Sequence, residues 1–256
     1  MKGLVAIERF AHWLTMLGLF GLVGLYFTKD RLPPPAYYAG EVPAAPRQAA
    51  TRLSPFETTA AGERYLVTPR FSYVLEGVVV SAHNADALGD IWHHDKWRDF
   101  LNVRDLCVIW GENIKNGVYR DMEFKNDSWT CRAYWPDAAT GRRFHPNQLS
   151  NNHLLTDDEF IAEAILAAEP GDRIRLSGEL AEYANPANGF HRGTSTTRED
   201  RGSGACETVF VRRFEVVDKA NRSRRLLYAV AGWLFGLGVL GSLALLFITP
   251  ARRIAG

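Results

Sequence analysis

TDDEFIAEAILAAEPGDRIRLSGEL, residues 156–180, holds a helix start, a helix stop and a strand in that order. Thr156 opens a T-D-D-E box: its hydroxyl can accept from the amide of Glu159 while that carboxylate reaches back. Asp157 and Asp158 sit where the helix dipole favours negative charge. Phe160, Ile161, Ala164, Ile165 and Ala168 recur at helical spacing and predict one apolar face, ended by Pro170-Gly171. Beyond the stop, Ile174, Leu176 and Leu180 alternate with Arg173, Arg175 and Glu179, the pattern of a strand buried on one side.

Strands of the same kind surround this segment. RYLVTP, FSYVLEGVVV, DLCVIWGENI and TVFVRRFEVV are rich in β-branched and aromatic residues and mostly bounded by Gly, Pro, Asn or Asp. Five or more strands with one helix before GDRIRLSGEL predict a mainly-β domain over residues 62–218, a closed or partly closed antiparallel barrel. The turn-plus-strand pattern resembles that of an oligonucleotide/oligosaccharide-binding (OB) barrel, with an α+β sandwich as the alternative. Before it, residues 29–61 carry prolines and alanines with little apolar periodicity and read as an extended linker.

The two ends are different in kind. Phe10–Phe27 and Leu226–Ile248 are runs of 18 and 23 residues without a formal charge. At about 1.5 Å of rise per residue they reach roughly 27 and 34 Å, near the ~30 Å of a bilayer core. The expected fold class is therefore a membrane protein with two transmembrane helices flanking a β-rich soluble domain. The first helix belongs to residues 1–28, and the second, with basic flanks, to residues 219–256. FTKDRLPPP lacks a small-x-small cleavage site, so the first run is read as an uncleaved anchor. Gly18, Gly21 and Gly24 on the first helix, and Gly232 and Gly236 on the second, offer small faces for helix packing. Their expected partners are each other, other membrane subunits or a second copy of the chain.

Charge excludes one class of partner. The chain has 30 basic and 29 acidic residues; Lys2, Arg9, Arg252 and Arg253 against Glu8 stand at the ends, so the rest is slightly acidic. Such a surface lacks the basic stripe that neutralises a phosphate backbone, and no nucleic acid is expected. The basic cluster KANRSRR at 219–225 adjoins the second helix, where anionic lipid headgroups are the nearer partner. By the positive-inside tendency that cluster would hold the domain in the cytoplasm, whereas the first helix leans the other way. With the first helix given precedence, both termini lie in the cytoplasm of a bacterium and residues 33–220 in the periplasm, on the inner membrane. Cys107, Cys131 and Cys206 all fall in the domain. One disulfide with one remaining thiol, or three buried thiols, fits, and all three pairings stay open.

Candidate site residues are few. HNADALGDIWHHDKW gathers His83, His93 and His94 with Asp86, Asp90 and Asp95, but at no standard metal spacing. It reads as a solvated loop and amphipathic turn, with Trp92, Trp97 and Phe100 inward and no metal. LSNNHLL presents Asn151, Asn152 and His153 just before the capped helix. HRGTSTTREDRGSGACE supplies Arg192, Ser195 and Arg198 on a long polar loop, and loops of that length are often functional. These six residues form the expected partner-binding surface. GTSTT is not a nucleophile elbow, and no catalytic residue is assigned.

ERFAHWLTMLGLFGLVGLYFT, residues 8–28, resembles the first helix of the di-haem cytochrome b subunits of membrane oxidoreductases. There an Arg-x-x-His-Trp start leads into a glycine-studded apolar helix, and the histidine binds haem. The resemblance implies haem b ligated by His12, with a ligand from a partner opposite, since LLYAVAGWLFGLGVLGSLALLFI contains no histidine. Without haem, His12 and Trp13 serve as interfacial anchors. The expected function is a membrane-anchored accessory or structural subunit whose β-rich domain binds a protein partner or stabilises a membrane complex. The alternative is a haem-associated subunit of an electron-transfer complex.

Overall fold

The computed structural model describes residues 2–38, 43–87, 89–90, 92–128, 130–200 and 205–248. The basic pair Arg252 and Arg253, counted above among the charges of the two ends, lies outside them. The chain divides into two units, residues 1–31 with 221–256, and residues 32–220.

The first unit is a pair of helices, α1 (Lys2–Tyr26) and α5 (Arg222–Ile248). Among the described residues one helix, Arg222–Phe247, is long and apolar enough to cross a membrane, with a mean hydropathy of 2.1. That property suggests membrane association. A side chain at Gly18 would run into the backbone of Ala231 and Phe235, and one at Gly21 would press on Ala231. Gly24 and Gly236, by contrast, face open space, and Gly232 has only an ordinary contact with Leu22. The close approach on α5 is made at Ala231, Phe235 and Gly238 instead, the last against Thr15 and Ala11.

The second unit contains β1 (Arg47–Ala50), β2 (Phe56–Ala60), β3 (Glu63–Asn84), β4 (Asn102–Ile109), α2 (Glu112–Lys115), β5 (Glu123–Asn126) and β6 (Cys131–Tyr134). It continues with α3 (Ala138–Arg143), β7 (Leu149–Leu155), α4 (Glu159–Leu166), β8 (Arg173–Asn185), β9 (Phe190–Arg192) and β10 (Glu207–Asp218). Five strands close on themselves in the cyclic order β3, β4, β7, β10, β8, because β3 pairs with both β4 and β8. Four of the five contacts are antiparallel; β7 and β10 are parallel, a departure from the expected antiparallel barrel. The interior is apolar, with Leu75, Val79, Leu106, Val108, Leu154, Ile174, Leu176, Val209 and Val211 in one buried cluster. Helix α4 adds Ile165 to it, with Ile161 packed against it.

Three expectations change. The stretch 29–61 is not simply a tether: β1 and β2 pair with β3, and buried Tyr38 donates to the Gly171 carbonyl at 2.6 Å. Proline and alanine hid this because an edge strand needs only backbone partners. Helix α4 is capped by Asp158, whose carboxylate accepts from Phe160 and Ile161, and Thr156 accepts from the Asp158 amide instead. Phe160, placed on the apolar face, is 83% exposed.

Candidate functional site

Side chains alternate across β4 and β7, so each strand sends every second residue outward. Pairing aligns Asp105 with His153 and Cys107 with Asn151, and on the other side of β4 it aligns His83 with Asp105 and Ser81 with Cys107. The result is a polar outer face on an apolar barrel. The hairpin β5–β6 covers part of it, joined to β4 by a disulfide between Cys107 and Cys131, with Cα atoms 5.8 Å apart. Asn126 of that hairpin accepts from Ser81 and donates to Asn151 Oδ1 at 2.7 Å.

Cys206, the cysteine outside the disulfide, immediately precedes β10. Asn151 Nδ2 donates to its Sγ at 3.5 Å, and His153 hydrogen-bonds the same thiol. His153 Nδ1 lies 2.7 Å from Asp105 Oδ1, which leaves Nε2 for the sulfur. Both His153 and Asp105 are buried. Burial alone would push Asp105 up, but the imidazole beside it holds the carboxyl below its ordinary range. Burial likewise opposes a charged imidazole, yet Asp105 raises His153 above its ordinary value. Burial also raises the thiol, and the hydrogen bonds from His153 and Asn151 outweigh it, so Cys206 is lowered. Thiol, imidazole and carboxylate are thus ordered as a nucleophile, its base and the group that orients the base.

The polar chain extends further. Asn102 Nδ2 donates to Asp105 Oδ1 at 3.0 Å and approaches His93 Nε2 at 3.1 Å. An amide nitrogen can only donate, so Nε2 of His93 is the acceptor and its proton sits on Nδ1, 2.6 Å from Asp90 Oδ2. His93 is therefore neutral, and burial lowers its pKa. His83 Nε2 reaches the same Asp90 oxygen at 2.7 Å. Beside the chain, Tyr183 donates to buried Asp99 at 2.5 Å, and the charge of Arg192 faces Tyr183, Asp105, Asp99 and Cys206.

A cavity of about 390 Å³ opens over the thiol, lined by Cys206, Asn151, Glu207, Arg198, Asp200 and Arg132 among others. Arg198 pairs with buried Glu207 and lies over the rings of Tyr73 and Trp110, with centroids 5.5 and 5.9 Å away. Among the described residues Glu207 Oε2 is buried without a hydrogen-bond partner.

Of the six residues expected to bind a partner, Asn151 and Arg198 meet at this cavity. LSNNHLL is not an exposed loop but strand β7, with Asn151, Asn152 and His153 all buried. His153 stands beside the thiol, and Asn152 donates to the Leu106 carbonyl. Arg192 belongs to β9, and buried Ser195 donates to the Thr197 carbonyl and to Asp200. The reading of residues 83–97 as solvated is also corrected, since His93 and Asp90 are buried and paired. Among the described residues no group of three or more His, Cys, Asp or Glu side chains is placed to hold a metal ion. His12 is exposed on α1 with Nδ1 2.8 Å from the Glu8 carbonyl, beside a groove of about 610 Å³ lined by Arg9, Trp13, Met16 and Phe20.

Sequence reasoning missed Asp105, Asn102 and Glu207. The only available signal was the alternation in NVRDLCVI, which places Asp105 on the same face as Cys107. No protein-family model matches the chain, and no curated protein matches it.

Proposed function

We propose that this chain is a membrane-anchored accessory subunit whose OB-type barrel receives a protein partner at the cavity over Cys206. The observation that carries the reading is the position of that cavity. In the order β3, β4, β7, β8, β10 the second and third barrel strands are β4 and β7, and α4 precedes the fourth. OB barrels take ligands on the face of strands two and three and on the loops after strands one and four. Here those connections run from β3 to β4 and from β8 to β10, and their described residues meet where Trp97 stacks on Phe190 at 5.4 Å. Fold likeness alone does not assign function; the solvent-open cavity with buried polar walls supplies the local support.

Both α1 and α5 anchor the chain, with the termini cytoplasmic and the domain periplasmic. A disulfide in the domain fits an oxidising compartment. Protease added to spheroplasts should remove residues 33–220; cleavage of the carboxy terminus with the domain protected would reverse the orientation. Pull-down in mild detergent should bring down a membrane subunit, and Arg132→Glu, at an exposed residue of the cavity wall, should release it while the domain stays folded. Retention of the same subunit by Arg132→Glu would remove the cavity as the docking site. Gly236 faces open space, so Gly236→Leu leaves the α1–α5 pair intact and tests packing against another subunit alone.

A second reading rests on the groove beside His12, whose Nε2 is left for a ligand. Haem b shared with a partner subunit would give a Soret band in the purified complex. That band should vanish in His12→Ala, and a colourless wild-type complex would end this reading.

A further inference from the structure

We infer that Cys206 is a thiolate nucleophile for thiol–disulfide exchange, and that the cavity above it admits a disulfide carried by the docked partner. The inference rests on the docking reading for the source of the disulfide, but its chemistry stands on the site itself.

The thiolate is what attacks a disulfide, and cysteines become reactive where cationic groups and donors stabilise that form. Two strands supply them here. His153 of β7 hydrogen-bonds the sulfur, Asn151 of the same strand donates to it at 3.5 Å, and the charge of Arg192 of β9 faces it; Asp105 of β4 sits behind the imidazole, and its own charge opposes the thiolate. The site also has room for an occupant: the cavity over the sulfur is walled by the charged side chains of Arg132, Arg198, Asp200 and Glu207, polar groups that an entering chain can pair with. Cys131 lines the same cavity but is held in the disulfide with Cys107, so among the three cysteines Cys206 alone offers a thiol.

The arrangement favours exchange over acyl transfer. Acyl transfer needs donors aimed at a developing oxyanion beside the sulfur, whereas His153 and Asn151 are aimed at the sulfur itself. Exchange needs only a stabilised thiolate and a proton for the leaving sulfur. In the step, Cys206 Sγ attacks one sulfur of R–S–S–R′, a Cys206–S–S–R bond forms and the S–S bond of the substrate breaks. R′S⁻ leaves with the electron pair and takes the proton from His153. Cys206 is oxidised to the mixed disulfide as half of the substrate is reduced, and a second thiol of the partner reverses the step and restores Cys206. Asp105 is a positioning residue: it keeps His153 turned toward the sulfur.

The test uses the full chain in detergent micelles with 4,4′-dithiodipyridine as the disulfide. The wild type should release one equivalent of thione per chain and Cys206→Ser none. An ordinary thiol, with a pKa near 8.5, reacts roughly a hundredfold more slowly at pH 6 than at pH 8. Cys206 should lose less than about tenfold over that range, and His153→Gln should return it to the ordinary profile. A wild-type profile like that of an ordinary thiol, or His153→Gln parallel to wild type, overturns the inference. Should His153→Gln not fold, thiolate absorbance of wild type minus Cys206→Ser decides, and a midpoint at 8.5 or above is fatal. Faster turnover of p-nitrophenyl acetate than of the disulfide would also overturn it, in favour of acyl transfer. A Cys206→Ser chain that still brings down its subunit, beside a wild-type thiol of ordinary profile, would remove exchange and leave docking standing.

Discussion

Leu106, Val108 and Leu154 point into the barrel, while Asp105, Cys107, Asn151 and His153, at alternate positions of the same strands, point out and are just as buried. The inner set needs only shape and volume. The outer set needs polar partners, because an isolated charge or amide removed from water costs several kcal/mol. Nothing in local backbone preference distinguishes the two faces; what differs is the covering. Apolar strands close over the inner face, and the hairpin β5–β6 with the loops beside β9 covers the outer one. Buried polar networks of this kind are poor sources of stability and frequent sites of chemistry.

Asp105 separates the two faces most sharply. Asp105→Ala leaves a buried imidazole without its partner and should cost about 3–5 kcal/mol in urea unfolding of the domain. Leu106→Ala, its inward neighbour, should cost about 2–5 kcal/mol through lost burial and a cavity. The Cys206 pH profile should return to that of an ordinary thiol in Asp105→Ala and stay unchanged in Leu106→Ala. If both variants altered reactivity equally, the two faces would not be functionally distinct.

Replacing Cys107 and Cys131 together by Ser should cost about 3 kcal/mol, since the bridge closes a loop of sequence separation 24. The same change frees the hairpin wall of the cavity, so partner capture should weaken by more than the stability loss explains. Capture at wild-type level by the folded double variant would show that the wall is dispensable.

The two buried histidines should act with opposite sign across pH. His153 is raised, so its stabilising contribution is complete below its ordinary value of about 6.5 and is lost as pH rises through the folded-state value. His93 is lowered, so stability falls as pH drops below about 6.5 toward its folded-state value. Unfolding free energies measured from pH 5 to 9 should lose the alkaline slope in His153→Gln and the acid slope in His93→Gln. A shared slope change in both would mean that the histidines titrate as one unit.

Smaller effects refine the picture. Asp158→Ala should cost about 1 kcal/mol by removing the cap of α4, with no change in thiol reactivity. Smallest of all should be the double replacement Asp105→Leu with His153→Phe. Exchanging the whole pair for apolar groups is often neutral or stabilising, so melting should stay near wild type while the lowered thiol pKa is lost. A large destabilisation would reveal a structural need for the pair beyond its chemistry.

Much of the scaffold was legible in the chain itself. Alternation marked Ile174, Leu176 and Leu180 as inward, the 3.6-residue period marked Ile161 and Ile165, and the long uncharged run marked α5. These signals are local, because strand and helix periods repeat within a few residues. Even there, Arg173 and Glu179, assigned to the solvent side, are buried against Glu76 and Arg212, since long charged side chains can pair across strands that are distant in sequence. Asp105, His153 and Cys206 lie on three different segments of the chain, and only the β4–β7 register and the parallel β7–β10 pairing bring them side by side. The choice of Cys131 over Cys206 as the disulfide partner of Cys107 was equally nonlocal, because it depends on where the β5–β6 hairpin lands. The sequence by itself determined the inward face of the strand at 173–180, the apolar face of α4 at Ile161 and Ile165, and the long apolar run of α5, through local periodicity. Which outward polar residues meet, and what covers them, was decided by the closure of the barrel, because those contacts join positions that no local pattern relates.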